Sequence, residues 1–142
     1  MMNTSDDLLK SLAQGFMPQE EMLEVARKKS NLQIGIPKEN SIQEKRVPVV
    51  PDAVSVLVNN GHEVIVETGV GDGASFGDKD YSEAGATVVF STEDVYRANM
   101  ILKVEPPTLQ EIDMMQQGQL LISALQLPIQ PKNFIKKLMA KK

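Results

Sequence analysis

From Leu32 to Lys142, short apolar runs alternate with turn signals and helical segments, and few folds accommodate that rhythm. Residues 32–36 read as a strand. Pro37 lacks an N–H and biases Ile36 toward extended geometry, so the strand ends there. A polar loop follows, with Lys38, Glu39, Glu44, Lys45 and Arg46. Pro51 suits the first turn of a helix, which is predicted over residues 51–60 with Val54, Leu57 and Val58 facing the sheet. Gly61 closes it, since glycine tolerates the left-handed C-terminal position. A second strand is predicted over 63–67, a third over 86–90, a fourth over 100–104 and a fifth over 119–125. Between them lie helices over 78–84, from Ser91 or Thr92 to Arg97, and over 108–115, where Thr108 and Glu111 form a capping box. Pro131 opens a last helix with Phe134, Ile135 and Leu138 apolar.

Strands alternating with helices across short connections call for an α/β fold, a parallel sheet of five strands with helices on both faces. The expected form is Rossmann-like or flavodoxin-like, with strand order 2-1-3-4-5. In open sheets of this kind ligands bind at the carboxyl ends of the strands, which puts the loop after residue 36 in the site.

Residues 1–30 read as a helical N-terminal extension to a domain over 31–142. Ser5, Asp6 and Asp7 supply capping and negative charge ahead of Leu8, Leu9, Leu12 and Phe16 at helical spacing. Pro18 opens a second helix with glutamates early and Arg27, Lys28 and Lys29 late. Such a segment serves either as packing within its own domain or as a subunit contact. The 142 residues carry a net charge of −4, which offers no basic footprint for nucleic acid or an anionic membrane. There is no cysteine, so thiolate catalysis and cysteine metal sites are excluded. The single His62, without a carboxylate cluster, makes no metal site and reads as structural. No stretch reaches the roughly 20 apolar residues of a membrane helix, and no signal peptide is evident. A cytoplasmic protein is the expectation.

Two features invite a functional reading. Gly69, Gly71 and Gly73 follow a strand, as a dinucleotide fingerprint does, but the third glycine comes one residue early and the next helix is delayed. The loop therefore reads as a flexible turn, and no cofactor-binding residue is assigned. Arg46 is the leading site residue, because a guanidinium can grip a carboxylate through two parallel hydrogen bonds. The plain alternative is a solvated arginine paired with Glu39 or Glu44.

The pattern Ile34-Gly35-Ile36-Pro37-Lys38-Glu39, then Glu44-Lys45-Arg46-Val47 and Pro51, resembles the N-terminal domain shared by alanine dehydrogenases and the α subunit of proton-translocating NAD(P) transhydrogenase. Gly61-His62-Glu63-Val64, Ala84-Gly85-Ala86 and Ile101-Leu102-Lys103-Val104 agree with it. The resemblance implies an oxidoreductase that moves hydride to or from NAD or NADP, bound by a separate cofactor domain that this chain does not contain. It implies a homo-oligomer, with Arg46 holding a small-molecule substrate's carboxylate and Lys38, Lys103, Glu105 and Gln126 lining the cleft. Two positions depart from the family. Glu105 stands where alanine dehydrogenases have a lysine that contacts the substrate carbonyl, and Gln126 stands where they have an acid/base histidine. A carboxylate does not stabilise a developing oxyanion, and a glutamine does not titrate. The implied reading is the substrate-side domain of such an enzyme, inactive by itself. The alternative is a binding or regulatory module that kept the fold and lost the chemistry.

Overall fold

The structure is a computed structural model and describes residues 31–142; the helices expected over residues 1–30 lie outside the described residues. The elements run in the expected alternation: β1 (Gln33–Ile36), α1 (Pro51–Asn59), β2 (Glu63–Glu67), α2 (Asp78–Glu83), β3 (Thr87–Val89), α3 (Thr92–Val95), β4 (Met100–Leu102), α4 (Leu109–Met114), β5 (Leu120–Ile122) and α5 (Lys132–Met139). Single 3₁₀ turns lie at Asp72–Ala74 and Leu127–Ile129.

The local signals act as their chemistry dictates. Pro51 sits in the first turn of α1, and Gly61, at φ +90°, ends it while its N–H donates to the carbonyl of Val58 at 2.8 Å. At α4 the capping box is complete. The Glu111 N–H donates to Thr108 Oγ1 at 3.1 Å, and the Thr108 N–H donates to Glu111 Oε2 at 2.7 Å. His62 is a structural pin between strands, its Nδ1 accepting the Leu32 N–H at 3.3 Å.

All five strands are parallel, in the order β3-β2-β1-β4-β5. The expected order 2-1-3-4-5 is thereby corrected. After α2 the chain adds β3 outside β2 and only then crosses back to lay β4 on the free side of β1. A strand's pattern of apolar residues states that its faces are covered but not which edge it joins. The consequence is positional, because the strand order now reverses between β1 and β4. Ile34 pairs with Val64 on one side and Met100 on the other. The C-terminal ends of β1 and β4, with Lys38-Glu39 and Lys103-Val104-Glu105, are neighbours at the crevice where open α/β sheets bind ligands.

Alternation along the strands divides the core in two. On one face Ile34, Ile36, Val64 and Val66 pack with Val54 of α1 and Tyr81 of α2. On the other, Ile101 packs with Tyr96, Ile112, Met115 and Phe134. Each such aliphatic side chain contributes about 1.5–3 kcal/mol by leaving water. Gly35 lies on this second face, beneath α3. A Cβ there would meet the Val95 carbonyl oxygen at 2.5 Å and the Ile101 side chain at 3.0 Å. A backbone oxygen does not step aside, so Gly35→Ala is expected to cost about 1–3 kcal/mol, read as a lower urea midpoint with an unchanged slope.

Candidate functional site

A cleft of about 280 Å³ opens at the C-terminal end of β1. Lys38, Glu44, Lys45 and Arg46 line it from the β1–α1 loop, and Gly69 and Asp72 line it from the loop after β2. A wider hollow between α1 and α2, about 590 Å³, is lined by Asp52, Asp80 and Glu83 and by no cation.

The glycine loop is built, not slack. The Asp78 carboxylate accepts the Thr68 hydroxyl at 2.5 Å and the Gly69 N–H at 2.7 Å. Those two bonds hold its pKa below the ordinary value. Gly69 stands at φ +72°, and a Cβ on it would lie 2.8 Å from Lys38 Nζ and from Asp72 Oδ2. A Cβ on Gly73 would lie 2.9 Å from the Cα of Lys45, and one on Gly71 would lie 2.6 Å from the Phe76 carbonyl. Gly69 and Gly73 let the loop close against the β1–α1 loop, and Gly71 lets it fold back on Phe76. α2 begins only at Asp78, so no helix N-terminus follows the glycines directly.

Arg46 is paired and open at once. Its Nε and Nη2 donate to Glu44 Oε1 and Oε2 at 2.8 and 2.7 Å, and its backbone N–H donates to Glu44 Oε1 at 2.8 Å. The Glu44 side chain is 7% exposed, whereas that of Arg46 is 76% exposed. The guanidinium hydrogen bond, and then the backbone N–H, push the Glu44 carboxyl down to about 2. The same hydrogen bond raises Arg46, followed by the charge of Glu44 and the more distant charges of Glu105 and Glu39. Glu105 is therefore within electrostatic reach of Arg46.

Lys103 has another occupation. Its side chain is 1% exposed, and its Nζ donates to Glu111 Oε1 at 2.9 Å and lies 3.5 Å from Glu39 Oε2. Glu39, in turn, accepts the Val104 N–H at 2.6 Å and the Glu105 N–H at 3.3 Å. A buried triad thus ties the β1–α1 loop to the end of β4 and to the first turn of α4. Beside it, the Tyr96 hydroxyl is buried without a hydrogen-bond partner among the described residues. Burial first, and then the Glu111 carboxylate, hold that phenol protonated. Glu39 and Glu111 are the residues that sequence reasoning missed. The available signal was a lysine ending an apolar strand with a capping-box glutamate eight residues later.

Of the five residues expected in one cleft, the structure brings together Lys38 and Arg46, with Glu105 near. Lys103 is sealed beneath them. Gln126 is exposed, at φ +48°, where it begins the turn Leu127–Ile129.

A family model described as "Alanine dehydrogenase/PNT, N-terminal domain" matches residues 35–142. The chain belongs to this family. It is 39% identical over 99 residues to an alanine dehydrogenase of Bacillus subtilis, covering 70% of this chain and 26% of that protein. An alanine dehydrogenase of Staphylococcus saprophyticus is 41% identical over 99 residues, 70% of this chain and 27% of its own length. Among solved structures, an L-alanine dehydrogenase superposes with a TM-score of 0.73 at 43% identity, covering 77% of this chain and 30% of that one. A transhydrogenase from Sinorhizobium meliloti superposes with a TM-score of 0.66 at 33% identity, covering 74% of this chain and 31% of that one. The chain spans about a quarter of the length of the curated relatives it matches.

Two outcomes are expected at this site. Lys103→Met leaves Glu39 and Glu111 buried without their cation and should cost about 3–5 kcal/mol in urea denaturation. Arg46→Gln should move the Glu44 carboxyl from about 2 back toward 4.5, followed by carbon-detected NMR titration. The sign follows from linkage. The folded value lies below the unfolded one, so the pair's contribution is full above about 4.5 and is lost as pH falls toward 2.

Proposed function

We propose that this chain is the substrate-side domain of an NAD(P)-linked oxidoreductase of the alanine dehydrogenase and transhydrogenase type. The observation that carries the reading is the exposed Arg46 guanidinium, fixed in a cleft at the strand-order reversal, in a chain of this family. Arg46 would hold the carboxylate of a small amino acid or 2-oxo acid through charge-assisted hydrogen bonds. Lys38 lies on the same cleft wall, loosely paired with Asp72 at 3.8 Å, and adds positive potential. The nicotinamide cofactor supplies the hydride chemistry. NAD or NADP would reach the cleft on a separate domain of the parent protein, which we take to be a cytoplasmic homo-oligomer.

A second reading has its own support. Neither Glu105 nor Gln126 can perform the roles expected of a lysine and a histidine at those positions. Within the first reading these replacements suit a transhydrogenase-like member; the second reading is a binding or regulatory module that kept the fold without the chemistry.

The two readings share a first test, and a second checks the need for a further domain. Sodium pyruvate, titrated against the isotope-labelled chain, should shift the resonances of residues 38–46, and Arg46→Gln should weaken binding by about 10–100-fold, the value of hydrogen bonds to a charged group. Absence of any shift in that loop refutes a carboxylate site. Alanine-dependent NAD reduction by the 142-residue chain is expected to be nil, and full-rate turnover by it would refute the need for a second domain.

A further inference from the structure

A guanidinium has two edges able to bind a carboxylate through paired hydrogen bonds, one formed by Nε with Nη2 and one by Nη1 with Nη2. In this chain the first edge is already taken by Glu44, at 2.8 and 2.7 Å. Nη1 makes no hydrogen bond among the described residues, and the Arg46 side chain is 76% exposed on the cleft. Glu44 is itself held down: its side chain is 7% exposed, its carboxylate also accepts the Arg46 backbone N–H, and its own N–H donates to the Ser41 carbonyl at 3.2 Å. An ionised carboxylate clamped in a tight turn is a fixed support for a long side chain that would otherwise sample many rotamers.

We propose that Glu44 is the positioning residue of Arg46. It takes the Nε/Nη2 edge and presents the Nη1/Nη2 edge to the carboxylate of the ligand. The inference rests on the carboxylate reading of Arg46 and goes beyond it by assigning the edge used and the residue that sets it. An exchange model, in which Glu44 occupies the ligand's own place and must be displaced, predicts the opposite response to mutation. The difference is measurable because preorganisation raises affinity while competition lowers it.

The experiment follows the arginine side-chain ¹⁵N–¹H signals of the chain during titration with sodium pyruvate. In the wild type, the Arg46 Nε–H is expected to be protected before ligand is added and unshifted after it, while the Nη signals move. Glu44→Gln, isosteric and uncharged, is expected to lose Nε–H protection and weaken pyruvate binding about tenfold, with the backbone amide spectrum otherwise retained. Glu44→Asp, which keeps the charge, should recover part of that loss. A wild-type Nε–H signal that moves with pyruvate, or pyruvate binding by Glu44→Gln as tight as wild type or tighter, overturns the proposal. Arg46→Gln separates the two levels. If it binds pyruvate like the wild type, the carboxylate reading itself falls. If it loses binding while Glu44→Gln does not, only the positioning role falls.

Discussion

The ion cluster of Lys103 with Glu39 and Glu111 holds the functional end of the domain together. Taking charges out of water costs several kcal/mol each, and the cost is met only when every charged atom finds a partner. Here the partners come from three elements. Lys103 sits just past β4, Glu39 just past β1 and Glu111 in the first turn of α4. The backbone N–H groups of Val104, Glu105 and Thr108 satisfy the remaining carboxylate oxygens. The loop that presents Arg46 is thus anchored at its base to the strand across the sheet's reversal point.

Above that base the site is assembled by close approach. Asp78 fixes Gly69, Gly73 admits the backbone of Lys45, and Glu44 fixes Arg46. Each contact draws on a different loop, yet all converge on the same end of the sheet. Many charges line the cleft, but most are spent on one another: Lys38 on Asp72, Arg46 on Glu44, Glu39 on Lys103. Arg46 is a cation of this cleft whose side chain stays largely open, 76% exposed, while paired through Nε and Nη2 to Glu44.

Much of the fold was legible because its signals are local. Pro51, Gly61, and the pair of Thr108 and Glu111 each specify a helix boundary through groups within a few residues, and each acts as expected. Strand ends were less legible. β4 stops at Leu102, not at residue 104, because Glu39, 65 residues earlier in sequence than Val104, captures the N–H groups that follow. Strand order was misjudged for the same reason: nothing within β3 states that it joins β2 and leaves β1 to β4. At the site, Arg46 and Lys38 were legible through their motif. The burial of Lys103 was not legible, because a lysine in sequence shows its charge and not its surroundings, nor was the left-handed backbone at Gln126, which no local residue type demands.

Burial of the cluster also bears on how such a sequence can change over generations. Removing any one member strands the others in a dry interior, while replacing the set by well-packed apolar residues is often neutral or favourable. Single steps away from Glu39, Lys103 or Glu111 therefore lead downhill in stability even where the destination does not. These three positions, far apart along the chain, are coupled through their shared burial, so a change at one is tolerated best when the other two change with it.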